Sequence, residues 1–251
     1  MTTLKVDILA SGSSGNCIAV RSENTTVLVD AGIARTKIDK RLLDVGIKPT
    51  SIAAIFVTHG HADHIKGLPI ANKYKIPVYA GEDEWKSIKN VDPELQAIKR
   101  TEKILELNDL FIDAFATHHD AYDPHGYTIR DRAGNKVSVC LDTGHVDDVM
   151  IRMMSDSTVY VIESNHEPKM VEASQYPNSV KSRVLSDVGH LSNSQTAGAL
   201  SRLIKGMGEQ IYLTHLSASN NLPALAEMTV VRALLKRGFK KNIDYKIEVI
   251  S

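Results

Sequence analysis

The sequence predicts an α/β fold in which two mixed sheets pack face to face and helices cover their outer faces, an αββα sandwich. Three observations predict it. Short apolar runs are bounded by Gly, Asp, Asn or Pro, which suits buried strands better than buried helices. Strands come first, a strand–helix mixture follows, and strands and helices recur to the end. The polar clusters fall directly after strands, where a rigid scaffold presents functional side chains.

Taken in chain order, strands are expected at Val6–Leu9, Cys17–Val20, Thr26–Val29, Ala54–Val57 and Val78–Ala80. Further strands are expected at Phe111–Ala116, Tyr127–Arg130, Val137–Leu141, Thr158–Ile162, Arg183–Leu185 and Gln210–Thr214. Segments near 35–46, 65–74, 82–89, 145–155, 193–206 and 223–238 have helical spacing. Ser192-Asn193-Ser194, ahead of an Ala-rich stretch, reads as a helix N-cap region. No repeat or low-complexity linker breaks the chain, and its 251 residues suit a single domain spanning 1–251.

A hydrophobic content of 43% with 24% charged residues describes a folded globular chain. Zero formal net charge and 5% aromatic residues argue against a long basic or stacking track for nucleic acid. Two cysteines, Cys17 and Cys140, are too few for a disulfide framework, and both adjoin apolar runs. They are expected as buried free thiols in a reducing compartment. No apolar run approaches the ~18 residues of a membrane span. The opening Met1-Thr2-Thr3-Leu4-Lys5 lacks the apolar core of a signal peptide, so a cytoplasmic enzyme with no membrane partner is expected.

The sharpest local signal is His59-Gly60-His61-Ala62-Asp63-His64, directly after the apolar Ile55-Phe56-Val57. Four potential ligands in six positions can converge on a cation from a turn, whereas a strand would point alternate side chains apart. Imidazole with carboxylate suits zinc, and also manganese or iron. Spaced in this way, the motif resembles the signature of the metallo-β-lactamase superfamily, whose fold is the αββα sandwich. The resemblance implies two divalent ions, zinc or alternatively manganese, with His59 and His61 on one and Asp63 and His64 on the other. It also implies three later ligands. Thr117-His118-His119-Asp120 supplies two competing histidines, and the spacing to Gly126-Tyr127 favours His119. Asp142 and His215 follow the apolar runs at Val137–Leu141 and Gln210–Thr214, as a bridging carboxylate and a last histidine. Asp30, after Val27-Leu28-Val29, matches a family aspartate that orients ligands by hydrogen bonding.

Ser186-Asp187-Val188-Gly189-His190-Leu191 and Val161-Ile162-Glu163-Ser164-Asn165-His166 resemble segments of ribonuclease-Z-like relatives. That likeness implies His190 as the acid that protonates a leaving alkoxide and Glu163 as its orienter; Asp63 or Asp142 can accept a hydrogen bond from the attacking hydroxide and aim it. Longer blocks at 9–16, 163–166, 181–190 and 215–221 resemble the YycJ/WalJ group, regarded as nucleases, and the phage anti-Pycsar phosphodiesterases, homodimers that open 3′,5′-cyclic nucleotides such as cyclic CMP and cyclic UMP. Ser13 in the Gly/Ser loop, Asn165, His166 and Asn220 are candidate substrate contacts. Tyr122, Tyr127 and Trp85 are expected to pack in the core. The compact chain and neutral charge rank a cyclic nucleotide first as substrate, with a DNA-cleaving nuclease as the alternative.

Overall fold

Buried short runs pair into sheets because each backbone N–H and C=O removed from water must find a partner. The computed structural model describes residues 4–250, which form thirteen strands and eight α-helices, the strands lying in a sheet of six and a sheet of seven. The chain divides into two compact units, one running through Ala116 and taking in Ala121–Lys136, the other comprising Thr117–Asp120 and the chain from Val137 on.

In unit one, β1 (Lys5–Ala10), β2 (Cys17–Arg21), β3 (Thr26–Val29), β4 (Ile52–Phe56), β5 (Val78–Ala80) and β6 (Gln96–Ile98) lie side by side in chain order. β1 to β3 pair antiparallel and β3 to β6 parallel. Parallel register sets Val29 beside Phe56, and the Asp30 N–H donates to the Phe56 carbonyl at 2.8 Å. The chain therefore leaves β3 and β4 at one edge. Helices α1 (Arg35–Asp44), α2 (Ala62–Ile65) and α3 (Pro69–Tyr74) connect the strands, and Ile38, Leu42 and Ile70 join Leu28 and Ile55 in the core. Strands β7 (Leu105–Leu107), β8 (Leu110–Ala116) and β9 (His125–Asp131) form an antiparallel meander. It packs on β4 through Tyr127, whose ring lies 5.5 Å from that of Phe56 and whose hydroxyl donates to the Val57 carbonyl at 2.7 Å.

Unit two holds β10 (Lys136–Cys140), β11 (Val159–Glu163), β12 (Glu209–Thr214) and β13 (Tyr245–Val249), all parallel. The near-continuous burial of β10 and β11 is what parallel strands covered on both faces require. Register pairs Cys140 with Ile162 and Glu163 with Thr214, so the ends of β10, β11 and β12 share one edge. The helices are α4 (Asp148–Met154), α5 (Pro168–Ala173), α6 (Asn178–Val184), α7 (Asn193–Leu203) and α8 (Pro223–Lys236). Ser192 caps α7 in a reciprocal box with Gln195, as the Ser-Asn-Ser sequence suggests. On α8 the buried Ala226, Val230 and Leu234 recur every fourth residue.

Several elements differ from expectation. Arg183–Leu185 is no strand: it ends α6, a helix with no buried residue and hence no apolar stripe to read. The 82–89 stretch yields only a 3₁₀ turn at Asp83–Lys86, with Glu84 turned inward. β6 and β7 are three residues each, too short for a visible period. β13 alternates buried Tyr245 and Ile247 with exposed Lys246 and Glu248, a signal present but unread. Tyr127 is buried and Trp85 packs against the core, whereas Tyr122 is 63% exposed with the Lys86 ammonium 5.5 Å from its ring centre. Cys17 and Cys140 are buried and free. No helix among the described residues is long and apolar enough to cross a membrane.

Tyr127→Phe keeps the ring packing and strips the Val57 carbonyl of a buried donor. The expected loss is about 1 kcal/mol of unfolding free energy, read from urea denaturation.

Candidate metal centre

The edge where β3 and β4 end in unit one carries the first ligand group. Asp30 is fully buried and adopts φ 60°, a left-handed conformation that turns its carboxylate back under the next loop. Its Oδ1 accepts the Thr58 N–H at 2.7 Å; its Oδ2 accepts the Thr58 hydroxyl at 2.9 Å and His64 Nδ1 at 2.7 Å. Burial pushes the Asp30 pKa above the ordinary carboxylate range, against the pull of His64 and Thr58. With Nδ1 donating to Asp30, His64 presents Nε2 as a lone pair, the form a metal ligand needs. His59 Nε2 lies 3.0 Å from His61 Nδ1, and Asp63 Oδ2 lies 3.5 Å from His64 Nε2.

Two residues that sequence reasoning passed over hold this group. Asn16 sits at the end of the Gly/Ser loop, where its N–H donates to the Asp63 carbonyl at 2.8 Å and its side-chain amide lies 3.2 Å from His64 Nε2. Gly32 accepts no replacement there: an added Cβ would lie 1.6 Å from the Asp63 carbonyl oxygen. The loop thus braces the Asp63-His64 pair, while Ser13 stands exposed at its tip. Glu84, fully buried, accepts the Gly60 N–H at 2.7 Å through Oε2 and the Asp123 N–H at 2.7 Å through Oε1. It fixes the peptide between His59 and His61. No spacing rule joins Glu84 to residue 60, which is why it was missed.

Unit two carries the second group at the ends of β10, β11 and β12. Asp142 and His215 both have positive φ, 46° and 55°. His215 Nδ1 lies 2.8 Å from Asp142 Oδ1 and 3.2 Å from Glu163 Oε2. His190 Nδ1 lies 3.1 Å from the same Glu163 oxygen. Glu163 Oε1 accepts the Thr143 N–H at 2.8 Å and the Leu191 N–H at 3.0 Å. Burial alone would raise the Glu163 pKa; the His190 charge and hydrogen bonds from His190 and His215 outweigh it and hold it down to about 2. Burial works against a charged His190, yet Glu163 and Asp142 raise its pKa above the ordinary imidazole value.

The competing histidines separate cleanly. His119 is buried, donates Nδ1 to the Gly189 carbonyl at 3.0 Å and turns Nε2 toward Asp142, 3.6 Å away. His118 is half-buried, pairs with Asp147 at 3.0 Å and stacks on His145 with ring centres 3.8 Å apart. Of the candidate substrate contacts, Asn165 donates its amide to the His215 carbonyl at 2.9 Å and so supports the turn that carries His215. His166 is buried, and burial lowers its pKa to about 4. Asn220 is also buried, with its carbonyl accepting the Glu167 N–H at 2.9 Å. A further polar knot was missed: Asn193 and Asn221 exchange side-chain amide hydrogen bonds of 2.9 Å in both directions, and Asn221 also donates to the Ser164 and Asn165 carbonyls. Its only sequence trace is the repeated pairing of Ser with Asn at 164–165, 192–194 and 219–221.

These donors fit divalent cations. In unit two, one ligand atom from each of Asp142, Glu163, His190 and His215 lies within 4.8 Å of the others. In unit one the facing His59 and His61 nitrogens and the Asp30-oriented His64 offer lone pairs of the type zinc or manganese takes.

Comparison with known proteins agrees with this donor chemistry. The model of the metallo-β-lactamase superfamily matches residues 10–146. The chain is 38% identical over 251 residues to the exodeoxyribonuclease WalJ of Streptococcus pneumoniae serotype 2, covering 97% of this chain and 93% of that one. It is 36% identical to the exodeoxyribonuclease YycJ of Bacillus anthracis, covering 97% and 94%. Among solved structures, the metallo-β-lactamase fold protein YhfI from Bacillus subtilis superposes with a TM-score of 0.74 at 15% identity, covering 99% of this chain and 97% of that one. A diphosphatase of the PhnP family superposes at 0.66 with 17% identity, covering 97% and 93%. At such identities these structures speak for the fold: two mixed sheets with helices.

Asp30→Asn keeps the shape and weakens the acceptor that orients His64. Divalent-ion affinity, measured by calorimetric titration of apoprotein with Zn²⁺ or Mn²⁺, is expected to fall about 10- to 100-fold. Unchanged affinity would remove Asp30 from that role.

Proposed function

The chain belongs to the metallo-β-lactamase superfamily, and from that premise we propose that it is a metal-dependent exodeoxyribonuclease. It is a hydrolase acting on phosphodiester bonds, in keeping with relatives named as exonucleases across nearly its whole length. That similarity reverses the order expected from composition: DNA stands ahead of a cyclic nucleotide. Neutral net charge, which had favoured the small substrate, describes the whole surface and is blind to a local track.

The observation that carries the reading is the Glu163–His190 pair beside Asp142 and His215. In the proposed ligand set, unit one would supply His59, His61, Asp63 and His64, and unit two would supply His119, Asp142 and His215. Zinc is the proposed ion, with manganese the alternative. When bound, two such cations acidify a water toward neutral pKa and neutralise charge on phosphoryl oxygens. The protein supplies the rest. Asp63 accepts a hydrogen bond that aims the attacking water. His190, whose pKa the Glu163 carboxylate raises against the effect of burial, gives its proton to the departing sugar oxygen, whose expulsion as a bare alkoxide is costly near neutral pH. Glu163 also grips the Thr143 and Leu191 N–H groups, so the donor is held without a reorganisation cost at the moment of transfer.

Three outcomes are expected. His61→Ala and Asp142→Ala lose bound metal by elemental analysis, and with it turnover; full activity in metal-depleted His61→Ala protein would reject the mechanism. His190→Ala lowers kcat on DNA about 10²- to 10⁴-fold with metal content intact. Purified protein with Mn²⁺ or Zn²⁺ degrades 5′-phosphorylated DNA from an end; hydrolysis of 3′,5′-cyclic nucleotides alone would restore the other substrate.

A further inference from the structure

α6 is an unusual helix for a folded unit because it buries none of its residues. Around it Tyr176, Val180, Leu185 and Val188 are 37%, 37%, 41% and 45% exposed. Between Ala173 and Ser186 the chain has no acidic residue, while Lys181 and Arg183 are cationic. Exposed apolar and aromatic surface interleaved with cations is complementary to a single-stranded polyanion whose bases present flat apolar faces. A protein partner's apolar face would not need the cations.

The helix is also joined to the candidate proton donor. The His190 N–H donates to the Val184 carbonyl at 3.2 Å, and an added Cβ on Gly189 would lie 2.3 Å from the Arg183 carbonyl oxygen. Backbone meets backbone there with no room for a side chain. The Gly189 carbonyl in turn receives His119 Nδ1. A phosphodiester within reach of His190 therefore has α6 as its neighbour in the same unit. Lys181 rests on the Glu172 carbonyl at 2.7 Å, and Arg183 grips both oxygens of Asp120, at 2.5 and 3.0 Å, a pair that a backbone phosphate would have to displace.

We propose that Tyr176 and α6 form the track for single-stranded DNA beside the cleaved bond, with a base stacked on Tyr176 and backbone phosphates on Lys181 and Arg183. The proposal rests on the nuclease reading. The test uses metal-loaded wild type, Tyr176→Ala and the double variant Lys181→Ala/Arg183→Ala, the latter on a helix that buries none of its residues. Binding of a cleavage-resistant phosphorothioate single strand is followed by fluorescence anisotropy across a salt series, and hydrolysis of bis(p-nitrophenyl) phosphate is measured in parallel. Each variant is expected to bind about tenfold more weakly. The double variant is expected to lower the slope of log K against log salt by about 0.7 per lost contact, which a purely structural role would not do. Hydrolysis of the aryl ester stays at the wild-type rate. Wild-type affinity and slope in the variants would overturn the proposal, as would an equal loss of ester hydrolysis, which would make α6 a support for His190. Sedimentation showing a wild-type dimer that the variants dissociate, with strand binding unchanged, would make α6 an interface between copies and also overturn it. A wild type that binds the strand through these residues but cleaves no DNA would refute the nuclease reading alone.

Discussion

A buried carboxylate that must be fed with donors organises each unit. Removing a carboxylate from water costs several kcal/mol unless its lone pairs are occupied. Asp30 in unit one and Glu163 in unit two meet that demand in the same way, by taking N–H groups from the turn beyond the neighbouring strand and the ring of a histidine. The desolvation cost becomes a positional constraint. Thr58 and His64 cannot move without stranding Asp30, and Thr143, Leu191, His190 and His215 cannot move without stranding Glu163. Imidazoles so tethered are fixed in orientation, with one ring nitrogen assigned to the carboxylate.

Backbone conformation reinforces this. Asp30, Asp142 and His215 each follow a strand in the left-handed region, which few residues other than glycine enter without cost. All three are positions where the chain must leave a parallel strand and aim a polar side chain back at the sheet edge. Strain at such places persists only where surrounding contacts over-determine it, and it clusters where function demands a fixed side chain. Here the over-determination is visible: Asp30 through its donors, Asp142 through the close approach of His215 and His119, and His215 through the Asn165 amide that takes its carbonyl.

Most of this edge was legible from residues alone because strand ends and ligand types coincide in the sequence. An apolar run followed by His-x-His-x-Asp-His states both where the strand stops and what the turn carries. Nine of the strand runs read from the sequence overlap β1 to β5 and β8 to β11 for that reason, as does the run at β12. What escaped is what acts across sequence distance. Glu84 reaches Gly60, Asn16 reaches Asp63, and Asn193 reaches Asn221, with no local period to announce any of them. Helix α6 escaped for the opposite reason: it buries none of its residues, so Val184-Leu185 looked like a strand in need of a sheet. The substrate order was misjudged because whole-chain charge averages over patches.

The amide knot of Asn193 and Asn221 has a consequence for chemical ageing. The Asn221 nitrogen serves two carbonyls and an amide oxygen, so everything it faces is electron-rich. Hydrolytic deamidation would exchange that nitrogen for an oxygen of nearly the same size, turning attraction into crowding of lone pairs and adding a negative charge in a dry place. A change of a single mass unit, invisible to shape, would thus loosen the loops that carry Asn165 and His215, whereas clipping the side chain back to a methyl group would strand the same carbonyls without adding a charge.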